Sequence, residues 1–232
     1  ATFVIPPGAY SDPTRKSRND ARFLLFRAAR FGYAPPMSSS SVIQDLATEY
    51  ADYLRDESRR AGRADGIAFP VSESALRDLL AEARRRHWPV TLQGARTGIT
   101  AGAVPDGGLI LNLSRMNRIL GVRPAPGGDF ILTVQPGLTL TELRRQVAEK
   151  AFDVTDWSDP SKQALEALRA APPVFFPPDP TESSASIGGM VACNASGACS
   201  YRYGPTRRYI EGLDLVLADG DEAEHPSDGL LA

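Results

Sequence analysis

Two glycine-studded stretches constrain this chain more than any other feature. The first is Gln93-Gly94-Ala95-Arg96-Thr97-Gly98-Ile99-Thr100-Ala101-Gly102-Ala103, and the second runs from Ser186-Ile187-Gly188-Gly189 to Asn194-Ala195-Ser196-Gly197. Each follows an extended, proline-bounded segment. Glycine lets backbone N–H groups turn toward an oxyanion with no Cβ in the way, and successive inward-pointing amides form an anion-binding nest. Read as a pair, the stretches form one cradle for a diphosphate. Taken singly, Gly188-Gly189 also reads as a tight turn and Pro177-Pro178-Asp179-Pro180 as a polyproline corner, so it is the joint pattern that points to a cofactor. Gly94-Ala95-Arg96-Thr97-Gly98 lacks the G-x-G-x-x-G spacing of a nicotinamide-type fingerprint, and neither stretch carries the lysine of a Walker loop.

The order of motifs resembles the FAD-binding oxidases and dehydrogenases of the vanillyl-alcohol oxidase and p-cresol methylhydroxylase type, with glycolate oxidase-like and D-lactate dehydrogenase-like members the most similar. The resemblance runs from about Asp65 to Gly220. It is carried by Ile67-Ala68-Phe69-Pro70-Val71-Ser72, the Gly94 to Ala103 loop, Val134-Gln135-Pro136-Gly137, Phe176 to Thr181, the Ser186 to Gly197 stretch and Tyr203-Gly204. It implies an α+β fold, a p-cresol methylhydroxylase-type FAD-binding domain of two small α/β subdomains, with the substrate-covering cap domain absent. The expected organisation is an N-terminal arm and helix over 1–64 and the FAD-binding domain over 65–232. The latter divides into a first subdomain, 65–137, and a second, 138–232, with an insertion at 152–173 where the family pattern is shorter.

The resemblance also assigns residues. The amides of Gly94, Ala95, Arg96, Thr97 and Gly98, with the Thr97 hydroxyl, would hold one side of the diphosphate, and Ile99, Gly102 and Ala103 complete that loop. Ser186 with Gly188 and Gly189 would hold the other side. Gln135, Pro136, Gly137 and Ile210 match positions flanking adenine and ribose. Pro178, Asp179, Thr181, Asn194, Ser196, Gly197 and Tyr203 match those near the diphosphate and isoalloxazine. Arg96 stands where relatives often carry glycine; its charge would neutralise phosphate, or it would point outward and leave only its amide in the nest, and the backbone role is the favoured one. Neither His87 nor His225 lies in a glycine stretch and the cysteines miss the known attachment positions, so FAD is expected to bind noncovalently.

With 232 residues, 42% hydrophobic and 23% charged, and a net charge of −2, the chain has ample material for a core and no electrostatic case for nucleic acid. Cys193 and Cys199 fit no disulfide framework or common zinc spacing and read as two small buried thiols in a reduced, cytoplasmic setting. No apolar run reaches the length of a membrane span. A short basic helix is predicted at about Arg18 to Phe31, a surface-packed leader or a peripheral contact to a membrane or partner. A second helix is predicted at about Val42 to Arg59.

Strands are predicted at Ile67 to Phe69, Val90 to Gln93, Leu109 to Leu113, Ile131 to Gln135 and Leu213 to Leu217, with a hairpin turn at Asp219-Gly220. Helices follow Ser72, the capping box Thr139-Leu140-Thr141-Glu142, and Asp159-Pro160. The spaced aspartates Asp153, Asp156 and Asp159 read as caps and solvated turns rather than a metal loop, and the segment around them as a surface insertion.

The function implied by resemblance is oxidation of a 2-hydroxy acid or other alcohol with hydride passing to flavin N5. No general base is visible among the flavin motifs, so the catalytic residues stay unassigned and a cap domain or partner subunit is expected to supply the substrate side. The rival reading is a noncatalytic flavin-fold subunit or assembly module, kept open by Arg96 and Ala101 at positions where glycine is common.

Overall fold

The computed structural model describes residues 42–46 and 48–218 with their side chains, and the strands at 22–26 and 222–226 by their backbone. In chain order the elements are β1 (Arg22–Phe26), β2 (Gly66–Ala68), α1 (Glu73–Arg85), β3 (Val90–Gln93), β4 (Leu109–Asn112), β5 (Ile119–Pro124), β6 (Phe130–Val134), α2 (Leu140–Glu149), α3 (Asp159–Ala170), β7 (Val174–Phe175), α4 (Ile187–Ala192), α5 (Ser200–Tyr203), β8 (Gly212–Val216) and β9 (Glu222–Pro226).

A first sheet is parallel throughout, in the order β2-β4-β3. Its central strand β4 is buried along its whole length, as an unbroken Leu-Ile-Leu run requires. Side chains alternate: Ala68, Leu109 and Leu111 face α1, where Leu79 and Ala83 meet them and Trp88 packs at the margin. Ile67, Phe69 and Ile110 face the opposite way, onto Leu46, Tyr50, Tyr53 and Leu54. That second cover is not the α-helix predicted over 42–59. Gln44 bridges Ile67 as an extended residue, and only Thr48–Leu54 is helical, as a 3₁₀ segment. Three residues per turn sets Tyr50 above Tyr53, and both rings meet Phe69 at 6.0 and 5.3 Å. α1 starts as expected, with Ser72 Oγ accepting from the Ala75 amide at 3.2 Å.

A second sheet has the order β5-β6-β1-β7, with β5 antiparallel to β6 and β1 parallel to both its neighbours. Strand β1 replaces the basic helix predicted near Arg18 to Phe31. Its apolar run Phe23-Leu24-Leu25-Phe26 has no helical spacing, and pairing on both edges suits a short continuous run. Strands β5 and β6 precede residue 137 yet pair into this sheet. β5, with Gly121, Arg123 and Pro124 in it, carries no strand signal of its own.

The segment 152–173 is also not a surface insertion. Trp157, Ala164, Leu165 and Leu168 are buried in the second core, and the Trp157 indole N–H donates to the Ile119 carbonyl at 2.9 Å. The amphipathic stripe of α3 therefore closes over β5. β8 and β9 pair antiparallel from Val216↔Glu222 outward; the predicted turn residues Asp219 and Gly220 lie outside the described residues. Among the described residues no helix is long and apolar enough to cross a membrane.

Candidate functional site

The first glycine stretch leaves β3 as a loop whose neck is tied by one side chain. Gln93 is 1% exposed, and its amide nitrogen donates to the carbonyls of Tyr53 and Ala103, both at 2.7 Å. Asn112, beside it on β4, donates to the Gly94 carbonyl at 3.3 Å. The two ends of the loop are thereby held together. Between them, the amides of residues 95–102 donate to no acceptor among the described residues. Arg96 and Ala101 take left-handed φ values of 59° and 65°, the conformation a glycine adopts without cost. A left-handed residue among right-handed or extended neighbours is a conformation from which anion nests are built. A Cβ on Gly98 or Gly102 would meet nothing within 4 Å, so both positions border open space.

A segment upstream braces this loop from outside. Glu57 N–H donates to the Arg96 carbonyl at 3.3 Å, and Ala103 N–H to the Asp56 carboxylate at 3.4 Å. Burial pushes the Asp56 carboxyl up, but hydrogen bonds from Ser58 and Ala103 outweigh it and hold the pKa below the ordinary value. The Arg96 guanidinium lies over the Tyr53 ring, 4.1 Å from its centroid. Sequence reasoning missed Tyr53, Asp56 and Glu57, because no spacing or composition ties them to a loop forty residues on.

The second stretch is built differently. Ser186 is the N-cap of α4, and Gly188-Gly189 form its first turn rather than a loop. The Ile187 amide donates to Leu138, Gly188 to Pro136 at 2.8 Å, Gly189 to Ser186 Oγ at 3.3 Å and Met190 to the Ser186 carbonyl. All four amides have partners within the protein. A Cβ on Gly188 would lie 2.7 Å from Pro136 Cβ and 3.0 Å from its carbonyl oxygen, so contact with the Gln135-Pro136-Gly137 turn accounts for this glycine. Gln135 Oε1 accepts from Arg118 N–H, and Gly137 N–H donates to Met116.

The two stretches meet where a Cβ on Gly94 would overlap Ser186 Oγ. Beyond α4, Asn194 has φ 45° and accepts the Arg207 amide on its side chain, and Gly197 lies against the Asp179 carbonyl with no room for a Cβ. Arg144 donates to Asp179 at 2.7 Å and to the Pro178 carbonyl at 3.3 Å. That guanidinium, and next the Cys199 thiol, hold the Asp179 carboxyl below its usual range, while the same bond raises Cys199, which keeps it a thiol. The cysteines are not buried as expected: Cys193 is exposed and Cys199 half-exposed, because α4 ends before the first and the second caps α5. The Tyr203 ring packs edge-on against Phe175 and Ile210 is buried in the second core, whereas Thr181 and Ser196 are exposed. Ile99 is 77% exposed at the tip of the first loop.

An open run of amides bordered by glycines, abutting a capped helix at Gly94 and Ser186, accompanies a sequence match. Residues 64–165 and 160–224 match the family model described as FAD binding domain. The chain belongs to this FAD-binding-domain family. A D-lactate dehydrogenase of Anaerostipes hadrus is 32% identical over 73% of this chain and 31% of its own length. The glycolate oxidase subunit GlcD of Bacillus subtilis is 30% identical over 68% and 28%, and the D-2-hydroxyglutarate dehydrogenase of Xanthomonas citri is 33% identical over 77% and 34%. The chain thus spans about a third of these relatives' length. Among solved structures, 6-hydroxy-D-nicotine oxidase from Arthrobacter nicotinovorans superposes with a TM-score of 0.60 at 17% identity, covering 84% of this chain and 38% of the oxidase. The glucooligosaccharide oxidase of Acremonium strictum, described with a 6-S-cysteinyl, 8α-N1-histidyl FAD, gives 0.58 at 17% identity, over 81% and 34%. Both likenesses show a shared fold. The FAD-binding-domain family thus accounts for the α+β architecture.

Proposed function

We propose that this chain binds one FAD noncovalently and serves a flavin-dependent oxidoreductase acting on a 2-hydroxy acid or related alcohol, with Tyr53, Asp56 and Glu57 bracing the site. The observation that carries the cofactor reading is the run of amides at 95–102 that have no acceptor among the described residues. A folded protein rarely leaves consecutive backbone donors without acceptors unless solvent or a ligand supplies them. Bound FAD supplies a two-electron acceptor at flavin N5. This chain's residues bind and orient: the nest takes the anionic diphosphate, the Gln93 bonds fix the neck, and the Arg144–Asp179–Cys199 chain fixes the segment before α4. Asp56 is the carboxylate bonded to the loop, and its engagement with Ala103 and Ser58 suits a brace rather than a proton acceptor.

The substrate class is supported by what three relatives share. D-lactate, glycolate and D-2-hydroxyglutarate all carry a hydroxyl beside a carboxylate. Noncovalent attachment is supported by the placement of His87, exposed just beyond α1, outside both glycine stretches.

Purified protein is titrated with FAD and then acid-precipitated. Saturable binding with yellow supernatant is the expected result; no binding by folded protein removes the cofactor reading, and a yellow pellet removes the noncovalent one. The FAD-loaded chain is then mixed anaerobically with D-lactate, glycolate and D-2-hydroxyglutarate. Because its recognised motifs serve the cofactor, these 232 residues alone are expected to bleach slowly at most; bleaching at enzyme-like rates would reveal a complete substrate site within them.

A further inference from the structure

Arg96 occupies a position that a bare nest has no use for. Its backbone is left-handed at φ 59°, which disfavours any side chain, and its carbonyl is held by the Glu57 amide. Glycine would satisfy both requirements without strain. The side chain therefore brings something that the amide does not.

Its surroundings show what is missing. The guanidinium rests on the Tyr53 ring at 4.1 Å, yet its Nη1 is buried with no hydrogen-bond partner among the described residues. A charged donor that has lost water without gaining an acceptor is costly, and any anion within reach relieves it. Tyr53 is itself a fixed platform, since its carbonyl accepts from Gln93 and its ring packs on Phe69 at 5.3 Å. With the backbone pinned and the platform fixed, the flexible stem is the part left to move. It springs from within the run 95–102, whose amides donate to nothing among the described residues, so an anion held by them lies near its root. By contrast Arg144, by the second stretch, is already bonded to Asp179.

We propose that Arg96 is a phosphate-binding arm: without ligand it stacks on Tyr53, and on binding its guanidinium swings onto the diphosphate that the adjacent amides hold. This rests on the reading of the loop as the FAD diphosphate site. A planar, multi-donor cation suits two phosphate oxygens as a point charge does not. The arm thus selects for the dinucleotide's phosphates and is indifferent to the flavin ring.

The test compares wild type with Arg96→Asn, which tolerates the left-handed turn without charge, and Arg96→Lys, which keeps the charge without the fork. Dissociation constants for FAD and ADP are measured by fluorescence titration and competition across a salt series, with riboflavin as the phosphate-free probe and apoprotein thermal unfolding alongside. The proposal expects Arg96→Asn to bind FAD and ADP at least tenfold more weakly with a shallower salt dependence. It also expects Arg96→Lys to fall between, riboflavin binding to be unaltered, and the midpoint of unfolding to change little. Equal FAD affinity and salt slope in wild type and Arg96→Asn would overturn the arm while leaving the FAD site standing. A wild type that binds neither FAD nor ADP overturns the site and the arm with it. If Arg96→Asn does not fold, Arg96→Lys decides: affinity equal to wild type at every salt concentration counts against the fork.

Discussion

The loop after β3 and the turn into α4 have the same kinds of residues, small and glycine-rich with a hydroxyl nearby, and opposite states of their backbone. In the first, the amides of 95–102 donate to nothing among the described residues and Gly98 and Gly102 border open space; in the second, the amides of 187–190 all have partners, and Gly188 is pressed against Pro136. Glycine serves two purposes here. At Gly98 and Gly102 it leaves room for something that the protein does not contain, and at Gly94, Gly188 and Gly197 it lets one part of the protein touch another. On the proposed reading, the loop is the binding side and the turn into α4 its abutment.

Substitution separates these roles, and the largest effect falls on the abutment. Gly188→Val drives a branched side chain into Pro136 and is expected to destabilise the fold by about 3 kcal/mol, since overpacking typically costs 1–3 kcal/mol or more. Denaturant melts check it. The comparison breaks if the variant is as stable as wild type but has lost FAD affinity, for then the Gly188 amide meets the ligand. Gly98→Ala sharpens the other side. Its Cβ enters open space, so stability should stay within about 0.5 kcal/mol of wild type, while FAD affinity falls about tenfold if a charge-assisted bond of roughly 1.5–3 kcal/mol is impaired. Isothermal titration on the folded variant reads this directly, and an unchanged affinity would move the diphosphate off the loop.

Ser186→Ala removes the cap of α4 and should cost about 1 kcal/mol of stability, with any loss of FAD affinity smaller than that of Gly98→Ala. A larger loss would make the Ser186 hydroxyl a ligand contact. The smallest effect is titrable. Glu142, in the first turn of α2 after Thr139, is held at about 2 against an ordinary 4.5, chiefly by the Arg145 side chain and then Gln146. A depressed carboxyl contributes stability above its unfolded pKa and loses it as pH falls, so the contribution fades from about pH 4.5 down through about 2. The group is 40% exposed, and such pairs are worth less than about 1 kcal/mol. Glu142→Gln should flatten that part of the stability–pH curve; an identical acid limb in both proteins would contradict the assignment.

Much of this arrangement is legible in the sequence, because local rules govern it. Ser72 and Thr139 cap helices in the structure as their spacing predicts, and α3 begins at Asp159-Pro160 as predicted, with Ser158 rather than Asp159 as its cap. Leu109-Ile110-Leu111 reads as a buried strand because both faces of its sheet are covered, one by α1 and the other by the segment around Tyr50 and Tyr53. What escapes is what depends on distant partners. β5 is a strand only because β6 pairs with it and Trp157 bonds its first residue. Tyr53 joins the loop through its carbonyl and Asp56 through a carboxylate that accepts a distant backbone amide, and neither contact shows in the spacing of residue types. Ser186 illustrates a deeper ambiguity. A serine before two glycines is what a phosphate loop needs and equally what a helix N-cap needs, since both offer a hydroxyl to a cluster of amides. Only the partners of those amides distinguish the two.

Trp88 lies at the margin of the first core and Trp157, 3% exposed, deep in the second, and these are the chain's two tryptophans. The cores of the two larger sheets thus each contain one emitter. Trp88 sits under the Arg86 guanidinium, 4.7 Å from the ring centroid, while Trp157 is bonded to the Ile119 carbonyl and tilted against Phe152. Their spectra report different neighbourhoods, and replacing either by phenylalanine isolates the other. Coincident fluorescence transitions in the two single-tryptophan proteins would mean that the sheets melt as one unit. Separated transitions would show the brace and the abutment letting go one after the other.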